Sequence, residues 1–150
     1  MELSPDLSQL LQLFHSHRVD CIVVGAHALA FYGAPRFTGD LDLLVSPSED
    51  NGERIVLALE AFGMGGLGIR ARDFTVNDQV IQLGNPPSRV DLLTGISGVT
   101  FAEATESAVD GTLGGIPVRY LGRDTLIANK RATGRLKDLA DIEALGELGE

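Results

Sequence analysis

Three aspartates stand inside runs where an apolar strand would not choose a charge. Asp40 and Asp42 open the run Asp40-Leu41-Asp42-Leu43-Leu44-Val45, and Asp91 lies within Arg89-Val90-Asp91-Leu92-Leu93. Side chains two apart on a strand point to one face, roughly 6.5–7 Å apart along it. Carboxylates aimed the same way repel one another and cost desolvation. A hard divalent cation such as Mg²⁺ (or Mn²⁺) removes that cost, because it takes oxygen ligands. If the Asp91 strand lies beside the Asp42 strand, at about 4.8 Å, all three carboxylates meet at one point. Two metals ~3.5–4 Å apart on such a cluster would clamp the attacking and leaving oxygens of a phosphoryl displacement. Two other readings stay open. Asp40 and Asp42 cap a solvated strand end, or Asp91 forms an ion pair with Arg89 on its own strand face.

A phosphate-sized site is suggested just upstream. Cys21-Ile22-Val23-Val24 reads as a buried strand ending in Gly25, after which Ala26 to Tyr32 favours helix. A helix N-terminus offers free N–H groups and partial positive charge. Gly25 lacks the Cβ that would block close approach of main chain. His27 at this turn is a candidate nucleotide contact. The plainer alternative is a packing turn.

These residues need a sheet to hold them. The strands are Cys21–Val24, Leu41–Val45 and Arg89–Leu93, with a helix from Pro5 to His17 capped by Ser4. A second helix spans Glu53 to Phe62, and Gly63 to Gly68 is a loop or tight turn. Asp73–Val76 and Gln79–Leu83 flank Asn77-Asp78 as an expected hairpin. Ala104–Val109 and Ile116–Tyr120 form another across Gly111 to Gly115. Asp124 caps a helix through Ala132, and Leu136 to Leu148 forms the last. Helices and strands interleave, interrupted by hairpins. This predicts an α/β fold (α+β by some schemes), a mixed β-sheet flanked by helices.

The 150 residues form one domain, 1–150, with 44% apolar and 22% charged residues. The 12 basic and 21 acidic residues leave a formal charge of −9. That balance disfavours passive wrapping of nucleic acid, which runs on counterion release. One cysteine, Cys21, excludes an intramolecular disulfide and a multi-cysteine zinc site. It points weakly to a reducing, cytoplasmic setting. The first residues lack a basic, then apolar, leader, and no apolar run approaches a membrane span, so no membrane association is expected. The glycines at 63, 65, 66 and 68 lack the Lys-[Ser/Thr] of a P-loop.

The order Gly25-Ala26-His27-Ala28, Gly33, then Arg36-Phe37-Thr38-Gly39-Asp40-Leu41-Asp42 resembles the nucleotidyltransferase superfamily of the DNA polymerase beta type. It is most similar to the small prokaryotic branch with abortive-infection and toxin–antitoxin members. The resemblance implies the nucleotidyltransferase fold and transfer of an NMP from an NTP to an acceptor hydroxyl or phosphate. It makes Gly25 and Ala26 the nucleotide turn, Ala26 standing where that family has Gly or Ser. Asp40 and Asp42 become the metal pair, and Asp91 the third ligand, which helps activate the acceptor. Arg36 and Thr38 match the Arg-x-Thr before the pair. Lys130, Arg135, Lys137, Asp138 and Asp141 match the punctuation of the family's last two helices. Lys130 and Lys137 then face the triphosphate. The other reading is a solvated helix face carrying pairs such as Lys137 and Asp141. The acceptor is a tRNA end, a protein side chain or a small molecule. The chain stops soon after the second of these helices, so loops or a protein partner are expected to supply the acceptor surface. The rival expectation is a non-catalytic, antitoxin-like binding module.

Overall fold

In the computed structural model, which describes residues 3–34, 40–85 and 88–146, helix α1 (Pro5–Ser16) buries Leu7, Leu10, Leu11 and Phe14 along one face. Ser4 Oγ accepts the Leu7 amide at 3.3 Å and Pro5 takes the first turn, as the sequence predicts. Strand β1 (Cys21–Val24), helix α2 (Gly25–Phe31), strand β2 (Asp40–Val45) and helix α3 (Glu49–Phe62) follow. Two 3-10 turns, Gly65–Leu67 and Ala71–Phe74, lead to strands β3 (Val80–Leu83) and β4 (Arg89–Leu93). Helix α4 (Phe101–Ser107), strands β5 (Val109–Leu113) and β6 (Ile116–Tyr120), and helices α5 (Arg123–Thr133) and α6 (Leu136–Ala144) complete the chain.

The six strands form one sheet in the order β3-β4-β2-β1-β6-β5. β2 runs parallel to β4 and β1 parallel to β6; the other neighbours are antiparallel. The fold is thus mixed α/β. Burial alternates along β2 and β4, which sends Leu41, Leu43, Val90 and Leu92 into the core. Buried Asn51 fastens the sheet at the end away from the aspartates. Its side chain accepts the Asp20 amide at 2.7 Å and donates to the Asp20 and Ser46 carbonyls. Among the described residues no helix is long and apolar enough to cross a membrane.

Three predicted elements are corrected. Asp73–Val76 is not a strand. The Asp73 carboxylate accepts the Arg70 amide at 2.8 Å, Phe74 is fully buried, and the segment closes into a 3-10 turn against α3. β3 therefore pairs with β4, the following strand. Ala104–Ser107 is helix rather than strand, because Thr100 and Glu103 close a capping box at 3.1 and 2.9 Å. The β5–β6 hairpin keeps only Val109 onward of the expected first strand. Finally, α3 starts at Glu49, where Ser48 Oγ accepts the Asn51 amide at 3.2 Å. Gly52 lies within this helix, where a Cβ would stand 2.3 Å from the Ala71 carbonyl oxygen. Its absence lets the 3-10 turn pack on the helix.

Candidate functional site

The parallel register of β2 and β4 sets Asp42 opposite Asp91 and Asp40 opposite Arg89. The strand neighbourhood that the three aspartates require is therefore present. All four side chains emerge on the face away from Leu41, Leu43, Val90 and Leu92. Arg89 grips Asp91 with a two-pronged fork: Nε donates to Oδ1 at 3.1 Å and Nη2 to Oδ2 at 3.2 Å. Its Nε also stands 4.0 Å from Asp40 Oδ2. The ion pair left open by the sequence forms within the aspartate group itself.

Burial first, then the charges of Asp91 and Asp40, push the Asp42 carboxyl up to about 6, against the pull of Lys130 and Arg89. Its Oδ2 would lie 2.3 Å from a Cβ at position 25, and Gly25 has φ +68°. Both the left-handed backbone and the approaching carboxylate demand glycine there. What approaches Gly25 in the structure is the Asp42 carboxylate of the same chain. Ala26 follows, half-buried in the first turn of α2.

His27 is buried, 5% exposed, and hydrogen-bonded to the Asp40 main chain. Burial lowers its pKa. It braces α2 against the head of β2 and does not line the cleft beside Asp42. Arg36 and Thr38 lie outside the described residues.

That cleft has a volume of about 360 Å³ and is lined by Gly25, Asp42, Asp78, Gly95, Asn129, Lys130, Thr133 and Arg135, among others. Lys130 reaches it from α5, 9% exposed, with Nζ 3.2 Å from Asp141 Oδ2 and 3.6 Å from Asp138 Oδ1. Asp138 is fully buried. The Arg135 side chain meets it at 2.7 and 3.2 Å and the Arg135 amide at 3.1 Å. Above all the Arg135 guanidinium holds this carboxyl well below the usual carboxylate range. Asp138 and Asp141 are therefore not on a solvated face. Lys137 is exposed on α6 and does not line the cleft.

Sequence reading missed Asp78, Gly95, Asn129 and Thr133 as cleft residues. Asp78 adopts φ +57° after Asn77, a turn position with no catalytic motif around it. Thr94 Oγ1 fixes the turn by donating to the Val76 carbonyl at 2.6 Å and accepting the Gln79 amide at 2.8 Å. Asn129 donates to the Ser97 carbonyl at 2.9 Å. Only tertiary packing brings these positions to Asp42.

Among the described residues, no three His, Cys, Asp or Glu side chains stand ready to hold a metal ion. The donor chemistry nonetheless fits a hard cation. Three carboxylates share one sheet face, and one of them, half-buried beside like charge, has its pKa raised despite Lys130 and Arg89. No protein-family model matches this chain, and no curated protein matches it.

Proposed function

We propose that this chain is a metal-dependent nucleotidyltransferase that moves a nucleoside monophosphate from an NTP to an acceptor hydroxyl or phosphate and releases pyrophosphate. One observation carries the reading: Asp42 lies in register with Asp91, two residues from Asp40, at the wall of a cleft that also holds Gly25 and Lys130. Asp40, Asp42 and Asp91 would hold Mg²⁺ or Mn²⁺, which when bound neutralises charge on the transferring phosphate. Gly25 keeps main chain close to the Asp42 carboxylate, and His27 fixes the start of β2, so two aspartates are held by rigid elements. Lys130 brings positive charge to the cleft beside Asp42. Positioning and electrostatics are what phosphoryl transfer asks of a protein.

The Arg89 fork on Asp91 favours a second reading, a non-catalytic binding module whose third carboxylate is committed to an ion pair. Incubation with each labelled NTP, Mg²⁺ and total RNA or protein extract separates the two. The enzyme reading expects label in one acceptor fraction, lost with EDTA and in Asp42→Asn. Metal-dependent NTP binding with no label in any fraction supports the binding module.

A further inference from the structure

Arg89 and a divalent cation want the same oxygens. Both Asp91 carboxylate oxygens are engaged by the Arg89 fork, at 3.1 and 3.2 Å, and the Asp91 side chain is only 13% exposed. The Arg89 Nε also stands 4.0 Å from Asp40 Oδ2. A guanidinium cannot shed its proton in a protein, so it leaves only by moving. We infer that Arg89 is a built-in competitor of the cation, holding Asp91 in the metal-free protein and giving it up when metal binds. The inference rests on the metal-site reading proposed above and deepens it.

The geometry leaves Arg89 room to move. Its side chain is 30% exposed, and it sits on a strand face rather than inside the core. Opening the fork costs a charge-assisted, two-pronged hydrogen bond, and that cost is subtracted from the cation's affinity by linkage. Metal binding to this site is therefore weaker than three carboxylates alone would give. Removing the fork strengthens it.

The test is titration of the whole chain with Mn²⁺ alone, following the free-ion paramagnetic resonance signal at neutral pH and low salt. Arg89→Gln is expected to bind Mn²⁺ about tenfold more tightly than the unchanged protein, the scale of a charged hydrogen bond discounted for exposure. Arg89→Lys keeps the charge but loses the fork, and is expected to shift in the same direction by less. Arg119→Gln removes the same unit of charge from the distant ion pair with Asp20 and is expected to leave the affinity unchanged. Equal or weaker Mn²⁺ binding in Arg89→Gln, with binding still lost in Asp42→Asn, overturns the inference and leaves the metal site standing. No Mn²⁺ binding in the unchanged protein or in Arg89→Gln overturns the metal site as well. If Arg89→Gln does not fold, the sign of the Arg89→Lys shift decides.

Discussion

The protein holds two acidic groups on facing elements and treats them in opposite ways. On β2 and β4, the Arg89 fork holds Asp91 and stands 4.0 Å from Asp40, and Asp42 is pushed up to about 6. On α5 and α6, Asp138 and Asp141 are matched by Lys130 and Arg135, and Asp138 is held far below the ordinary range. The helix pair has paired its charges and keeps them for stability. On the strand pair, burial and the charges of Asp91 and Asp40 outweigh the pull of Lys130 and Arg89 on Asp42. A carboxylate destabilised by burial and like charge, more than the presence of aspartate, distinguishes the site from the scaffold.

The largest expected effect lies on the scaffold side. Asp138→Ala removes the partner of both Arg135 and buried Lys130 and is expected to cost about 3–5 kcal/mol, the range for stripping one member from a buried pair. Denaturant unfolding measures it. A loss under 1 kcal/mol would mean that the helix pair does not hold its charges for stability, and the contrast would fail.

The strand side is expected to respond with the opposite sign. A carboxyl raised from 3.8 to about 6 favours the folded state when protonated. Its contribution is full below pH 3.8 and is lost as pH rises through about 6. In EDTA, Asp42→Asn removes this penalty, so the variant is expected to be more stable at pH 7 by on the order of 3 kcal/mol, at about 1.4 kcal/mol per pH unit. The gain shrinks toward pH 4. Melting curves at pH 4 and 7 check both the sign and the window. Asp138, depressed instead, keeps its contribution throughout that window and loses it only in strong acid.

A smaller effect tests how the two faces meet. Gly25→Ala places a side chain at φ +68° and against the Asp42 carboxylate. The dihedral alone costs roughly 1–2 kcal/mol. A thermal midpoint unchanged within error would show that this turn is looser than its geometry implies.

Much of this arrangement was legible because charge inside an apolar strand is rare and period two fixes its face. Asp40, Asp42 and Asp91 could be placed on one sheet face from Leu41, Leu43, Val90 and Leu92 alone. The hairpin over 73–83 was misread because Phe74 looks like a strand residue until its burial beneath α3 and the Asp73 cap are seen. Thr100 and Glu103 carried a readable capping box that outweighs the strand pattern of Ala104–Val109. Asp78 and Asn129 had no local signal at all, since their place at the cleft depends on how the β3–β4 pair and α5 pack. His27 was read as facing ligand because its position in the turn was visible and its burial was not.

The central claim is that the β2–β4 carboxylates bind a nucleoside triphosphate through a divalent cation. Calorimetric titration of each NTP into the protein with Mg²⁺, with EDTA, and with Mg²⁺ into Asp42→Asn tests it most directly. The account predicts binding of at least one NTP with Mg²⁺ that disappears in EDTA and in Asp42→Asn. Equal binding under all three conditions would contradict it.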